Sequence, residues 1–211
     1  PAEMFEKPYT NPVTGDPLQA RQNLREALKR VPREKVVILT KTHARTERQM
    51  QDDLDRFRRE IGTDYLDIVL LHNMQSPDWP SQREGAMARL SQAKADGVVR
   101  MHGVSCHQLG ALKTAAKTDW VEIDLARLNL EGVIMDGTLA EVVPVLREMK
   151  RRGKVVMGMK VFGAGQLTHR MDDCLQFAFA QEFMDCMTIG TQSIGEYRDL
   201  SRRIAVASRR G

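Results

Sequence analysis

The sequence predicts an α/β protein, a (β/α)8 barrel of the TIM type with the first strands missing from this chain. Three observations support this prediction. Short β-branched runs recur along the chain, single amphipathic helical segments separate them, and several runs are apolar on both faces. Strands that alternate with single helices form parallel sheets through right-handed crossovers, and a strand covered on both sides is apolar throughout.

The strand-like runs begin near residues 36, 66, 99, 121, 155 and 186, at intervals of 22 to 34 residues. The clearest helix lies between the first two runs. Thr46 followed by Gln49 has the pattern of a capping box, and Gly62 stands where a helix would end. The apolar residues between them fall on one helical face, namely Met50, Leu54, Phe57 and Ile61. Gly97 and Gly153 mark two further helix ends.

The chain divides into an irregular segment over residues 1–17, which carries four prolines, and one domain over residues 18–211. A leading helix over residues 18–31 has no strand before it, and six strand–helix units follow where a complete barrel has eight. We therefore expect the sequence to begin inside a barrel, as a fragment. An open doubly wound sheet is the alternative architecture, but no GxGxxG motif follows the first strand, which favours the barrel.

The composition restricts the possible partners. The chain of 211 residues is 42% hydrophobic and 28% charged, with interleaved charges and a net charge of +4. No basic stripe with aromatic residues and no membrane-length apolar run is present, so we expect neither nucleic acid nor membrane as a partner. The three cysteines lack CxxC spacing, which indicates a reducing compartment and predicts a cytoplasmic protein.

Polar residues follow the apolar runs at the predicted carboxyl ends of the strands, where barrels and open sheets bind their ligands. Lys41 would be partly desolvated there and would perturb a neighbouring acid, although it would also suit a solvated loop. His72 would contact a substrate oxygen or serve as acid or base, or it would bond to the backbone. The HxxxCH spacing around Cys106 does not complete a metal site, so we predict none.

Two glycine-containing turns follow the last two predicted strands. The first spans residues 161–167 and contains Gly163 and Gly165, and the second contains Gly190 and Thr191. Exposed amides in such turns bind phosphate groups, and phosphate sites in barrels commonly use the last two loops. We expect these turns to bind a pyrophosphate.

The sequence resembles the aldo-keto reductase family. The blocks REKVVILTKT, IGTDYLDIVLLHN, VVRMHGVSCHQLGALKTA and IGTQSIGEYRDL are similar to family blocks in the same order, between about Leu18 and Ile204. The resemblance implies a (β/α)8 barrel that binds NADPH or NADH at the strand ends. It also implies hydride transfer to the carbonyl carbon of a small aldehyde or ketone.

The resemblance implies catalytic roles for specific residues. Lys41 matches the lysine that lowers the pKa of the catalytic tyrosine, and His72 matches the histidine that orients the carbonyl group. Tyr9, the tyrosine upstream of Lys41, is the candidate proton donor. The family's aspartate lies on a strand that this chain lacks, and Met4 stands where it would be expected.

The resemblance also implies cofactor contacts, with departures from the family pattern. Ser105 matches a serine that contacts the nicotinamide carboxamide, whereas Cys106 replaces an asparagine, Met159 an aromatic residue and Lys160 a serine. Glu196 falls near the position that selects the 2′-phosphate, where a carboxylate would favour NADH. The preference between NADP and NAD stays open. The predicted cofactor-binding residues are Ser105, Cys106, Met159, Lys160, Val161, Gly163, Gly165, Leu167, Gly190 and Thr191.

Three hypotheses follow. The first is an NAD(P)H-dependent carbonyl reductase, whose missing strands would restore the catalytic set. The second is a cofactor-binding, catalytically impaired regulatory barrel or pseudoenzyme, because the aspartate is absent. The third is an unrelated lyase or hydrolase that forms a Schiff base on Lys41.

Overall fold

The computed structural model describes residues 17–209, so Tyr9 lies outside the described residues. Within them, six parallel strands form one sheet in chain order. A doubly wound sheet would place its strands out of chain order, so the barrel prediction is confirmed for this part of the chain. The strands are β1 (Leu39–Thr42), β2 (Leu66–Met74), β3 (Val99–Cys106), β4 (Ile123–Arg127), β5 (Val155–Met159) and β6 (Cys186–Met187).

Helices connect the strands in the pattern that a barrel requires. A leading helix packs against the helix that follows β1, and each of the six strands is followed by at least one helix. The helices are α1 (Pro17–Leu28), α2 (Glu47–Ile61), α3 (Trp79–Gln82), α4 (Glu84–Ala95), α5 (Leu109–Lys117), α6 (Leu139–Arg151), α7 (Met171–Phe179) and α8 (Ile194–Ala207). Among the described helices, none is long and apolar enough to cross a membrane.

The predicted helix after β1 is confirmed in detail. Thr46 and Gln49 form a reciprocal capping box at the start of α2, and Gly62 ends the helix with a left-handed backbone at φ 76°. Glycine suits that position because a side chain would strain it. The four predicted apolar residues are buried against the sheet and fix the helix on the barrel: Met50, Leu54, Phe57 and Ile61.

Side chains alternate between the two faces of the sheet. On the outer face, strand residues join helix residues in the main core. On the inner face, a separate cluster consists of strand residues alone: Ile68, Leu70, Ile123, Leu125 and Met159, with Leu39, Met101, Val155 and Met157 against it. The inside of the barrel is therefore a packed apolar core, and the next inner-face residues along each strand emerge at its carboxyl end.

Some predicted boundaries were wrong by a few residues. The strand expected near residue 36 begins at Leu39, because Arg33–Lys35 forms a short 3-10 helix and the Arg33 guanidinium donates to the carbonyl of Val36. The strand expected near residue 121 begins at Ile123, since the amide of Val121 closes a turn onto Thr118. The leading helix spans residues 17–28 rather than 18–31.

Candidate active site at the strand ends

The carboxyl ends of β1 to β5 each present one inner-face residue above the apolar interior. In strand order these residues are Lys41, His72, Ser105, Arg127 and Met159. His107 and Lys160 directly follow β3 and β5. We call these seven residues the barrel mouth. The structure thus brings together the predicted Lys41 and His72, from neighbouring strands.

His72 has a defined hydrogen bond on one ring nitrogen. Its Nδ1 lies 2.7 Å from Oγ of Ser105, which is fully buried. The amide of Asn73 donates to the same hydroxyl oxygen at 3.4 Å, which leaves the hydroxyl proton for Nδ1. We therefore assign the tautomer with the proton on Nε2, so that His72 is a hydrogen-bond donor on its other side.

His72 is also held neutral. Burial lowers its pKa to about 3, and the nearby charges of Lys41, His43 and His107 act in the same direction. Its ring makes edge contacts with those of His43 and His107, at centroid distances of 5.0 Å and 5.4 Å. A neutral imidazole with Nε2–H can polarise a carbonyl oxygen at any pH from about 4 upwards.

Lys41 reaches solvent at the rim of the mouth but loses part of its hydration to the surrounding protein. This burial lowers its pKa, and repulsion from Lys160 lowers it further. No residue between positions 17 and 209 forms an ion pair or hydrogen bond with the side-chain amine of Lys41. The amine is therefore available to a neighbouring acid or ligand.

Arg127 is a member of the mouth that the sequence analysis missed. It continues the inner-face alternation of Ile123 and Leu125, which was the available signal. Its guanidinium forms an ion pair with the buried carboxylate of Asp136 through Nε, at 2.8 Å, and through Nη2. By contrast Asn129, two residues beyond the end of β4, uses its side chain to close the loop onto the backbone of Val133.

Cys106 does not reach the mouth. It lies on the outer face of β3 and is fully buried in the main core. Burial raises the pKa of its thiol well above the usual value, helped by the nearby Asp124 and Asp136. Asp124 is itself fully buried beside the Cys106 thiol, and burial raises its pKa to about 8, helped by the nearby Asp136.

The turn after β5 differs from the predicted pyrophosphate cradle. The amides of Gly163, Gly165 and Leu167 donate to carbonyls within the turn, and Val161 and Leu167 are buried in a local core. These groups are therefore not free for a phosphate. Lys160, at the start of the turn, has a left-handed backbone with φ 59°, a conformation that is uncommon for non-glycine residues.

The turn after β6 keeps its amides available. Gly190 is exposed and nothing lies within 4 Å of an added Cβ there. Its amide and that of Thr191 form no hydrogen bond to another described residue. The N-terminus of α8 is already capped, because Ser193 accepts from the amide of Glu196, and Glu196 accepts from that of Gln192 at 2.7 Å. The free amides are those at residues 190–191.

The proton donor is not among the described residues of the mouth. Tyr65 lies at the amino end of β2 between the guanidinium groups of Arg33 and Arg100. Tyr197 lies on the exposed part of α8. Within residues 17–209, no group of His, Cys, Asp and Glu side chains is arranged to hold a metal ion.

A parallel barrel with a basic, partly desolvated set of side chains at its strand ends defines an enzyme-type binding site. The family model of the aldo/keto reductases matches residues 9–204. The chain belongs to the aldo/keto reductase family, which supports an NAD(P)H-dependent oxidoreductase in general terms; members of this family act on small-molecule carbonyl compounds.

Solved structures agree with the fold. PA4992 from Pseudomonas aeruginosa, provisionally described as an aldo-keto reductase, gives a TM-score of 0.74 at 18% identity, covering 90% of this chain and 71% of that one. The holo form of the aldo-keto reductase AKR11C1 from Bacillus halodurans gives 0.73 at 17% identity, covering 89% and 73%. A search of curated proteins found no match.

Proposed function

We propose that this chain carries the carbonyl-binding part of an NADPH- or NADH-dependent reductase that converts an aldehyde or ketone to an alcohol. The observation that carries the proposal is the pair formed by Lys41 and His72 on neighbouring strands. His72 is neutral and held through Nδ1 by the buried Ser105, and Lys41 has no charge partner among residues 17–209.

In this proposal His72 donates its Nε2–H to the carbonyl oxygen. The hydrogen bond places the carbonyl carbon and draws electron density from it, which favours attack by hydride. The Ser105 hydroxyl prevents the ring from rotating or changing tautomer, so it acts as a positioning residue. This role differs from the cofactor contact that the resemblance implies for Ser105.

Lys41 would act on the proton donor. A cation close to a phenol favours the phenolate and lowers the phenol pKa towards the working pH. Tyr9, upstream of α1, remains our candidate for that phenol. Proton transfer from it to the developing alkoxide completes the reduction.

The nicotinamide cofactor supplies the hydride. Met159 ends β5 at the mouth and offers a polarisable apolar face to a ring. The free amides of Gly190 and Thr191 offer donors to a phosphate group. Lys160 interacts electrostatically with Lys41 and His107, so we place it towards the substrate. NADPH and NADH remain equal candidates.

One observation favours the second candidate, a cofactor-binding barrel that does not turn over. Lys41 lacks a carboxylate partner within the described residues, and the mouth holds no described acid. Catalysis therefore depends on residues outside positions 17–209, whereas cofactor binding at β5 and β6 does not.

The experiment measures cofactor binding and turnover on the full-length protein. Binding of NADPH and NADH is followed by fluorescence, and cofactor oxidation is followed at 340 nm with a panel of aldehydes. Binding together with turnover supports the reductase. Binding without turnover across the panel selects the impaired barrel, and absence of binding contradicts both.

A further inference from the structure

Three cationic or titratable side chains stand side by side at the ends of β3, β4 and β5. Arg127 pairs in register with Met159, which Lys160 follows. Gly103 pairs with Ile123. His107 and Arg127 each lie four positions further along their segments, so His107, just beyond β3, is level with Arg127. Electrostatic interactions of His107 with Arg127 and Lys160 agree with this placement.

Each of these side chains has unused hydrogen-bonding capacity. Arg127 commits Nε and Nη2 to Asp136, and its Nη1 forms no bond with a residue in positions 17–209. The side-chain amine of Lys160 forms neither an ion pair nor a hydrogen bond within that range. Nε2 of His107 is buried and has no partner there. A buried polar atom without a partner is costly unless a ligand or water satisfies it.

We propose that Arg127, Lys160 and His107 form an anion-binding subsite that holds a carboxylate or phosphate group of the carbonyl substrate. The substrate class is then carbonyl compounds that carry a negative charge a few bonds from the reacting carbon. This inference rests on the proposed function, because His72 defines where the carbonyl group lies.

Asp136 makes Arg127 suitable for this task. Its carboxylate is almost fully buried and bonds to one edge of the guanidinium, which fixes the plane of the group. The free Nη1 is thereby oriented before a ligand arrives, so less side-chain entropy is lost on binding. Asp136 balances one positive charge, and Lys160 leaves the subsite with an excess of positive charge.

The position favours the substrate over the cofactor as the source of the anion. The His107 ring is 5.4 Å from the His72 ring, a separation that one small molecule can span. The free amides of the 190–191 turn follow β6, one strand further round the barrel. A cofactor phosphate bound there would leave the charges beside His72 unpaired.

The first arm of the test compares two aldehydes on the full-length protein, succinic semialdehyde and the uncharged butanal. We expect kcat/KM to be at least about tenfold higher for the charged aldehyde, because the free energy of one charge-assisted hydrogen bond corresponds to a factor of this size. In Lys160→Gln, the ratio of the two kcat/KM values should fall by about tenfold. The exposed Lys117→Gln is the matched control and should leave the ratio unchanged. An unaltered ratio in Lys160→Gln overturns the proposal.

The second arm measures binding without turnover. Calorimetry with succinate on the cofactor-free protein should show binding that weakens by about tenfold in Lys160→Gln and in His107→Gln. Circular dichroism confirms that each variant is folded, and His107→Gln keeps the test valid if Lys160→Gln is not.

Separate titration with NADPH and NADH distinguishes the sources of the anion. If the Lys160→Gln and His107→Gln variants bind succinate as the wild type does but bind the cofactor more weakly, these residues belong to the cofactor phosphate site and the proposal is overturned. Variant-sensitive succinate binding in a protein that reduces no aldehyde supports the subsite and refutes the proposed function instead.

Discussion

His72 is the residue on which the chemistry depends most, because its protonation state decides whether it donates to a carbonyl oxygen. Ser105 supplies the fixed partner for Nδ1, and burial keeps the ring neutral. The local sequence GVSCH placed Ser105 at a strand end, but only the pairing of β2 with β3 shows that it faces His72.

We predict that two-dimensional ¹⁵N NMR of the histidines shows His72 as the Nε2–H tautomer at pH 7. In Ser105→Ala the tautomers should mix, and kcat of the full-length protein should fall about tenfold or more, with little change in cofactor affinity. The exposed Ser81→Ala is the control. A ring protonated on Nδ1, or a Ser105→Ala effect confined to cofactor affinity, would show that Ser105 serves the cofactor.

Asp124 gives a prediction about stability. Its pKa rises from 3.8 to about 8 on folding, so between these values the unfolded chain has lost a proton that the folded protein keeps. The stabilising effect of this proton is complete below pH 3.8 and disappears as the pH rises through about 8.

We therefore expect Asp124→Asn to be more stable than the wild type at pH 8, by at least about 2 kcal/mol, and similar to it at pH 4. Urea unfolding at the two pH values measures the difference, with the exposed Asp78→Asn as control. A variant that is equally destabilised at both pH values would show that Asp124 is ionised in the folded protein.

At the scale of elements, the close approach of β3 and β4 depends on one glycine. A Cβ on Gly103 would lie 1.8 Å from the carbonyl oxygen of Ile123, a distance at which the strands must separate. This pairing sets the relative height of Ser105 and Arg127, so the site depends on it as well.

We predict that Gly103→Ala lowers the free energy of unfolding by about 3 kcal/mol or more. Gly195→Ala, inside α8 with an open Cβ position, should be neutral or stabilising by up to about 1 kcal/mol. Chemical denaturation of both variants tests the contrast. Equal effects would mean that the two strands adjust without cost.

The helices and strands also show which features of the fold could be predicted from the sequence. The period of apolar residues predicted six strands and the capped α2, because these signals are local. It placed β1 too early, because the Arg33 guanidinium that donates to Val36 is also held by Asp67, far along the chain. Arg127 escaped notice because the adjoining apolar residues resembled a continuing strand, and its partner Asp136 follows in a loop.

The candidate site was also predictable only in part, because local sequence signals reveal some of its features and not others. Lys41 and His72 each follow an apolar strand, so their placement at the mouth follows from local pattern. The internal hydrogen bonds of the turn at Gly163 and Gly165 depend on its three-dimensional closure, which glycine content alone does not reveal.

At the scale of the whole molecule, the barrel concentrates charge that the sequence distributes evenly. Lys41, Arg127 and Lys160 come from three different strand–helix units, and among the three only Arg127 is paired with a carboxylate, that of Asp136, within residues 17–209. The mouth is therefore basic, although the chain as a whole carries a net charge of only +4. A basic mouth suits both an anionic substrate and the activation of a phenol.

Lys41→Met tests the central claim, that this mouth reduces carbonyl groups, most directly. Methionine keeps most of the length of the lysine side chain but lacks the charge that would lower the pKa of the proton donor. The measurement is the steady-state rate of cofactor oxidation by the full-length protein with its best aldehyde, with Lys117→Met as the control. We predict a loss of at least about a hundredfold in kcat for Lys41→Met and none for the control. Wild-type turnover in Lys41→Met would contradict the account.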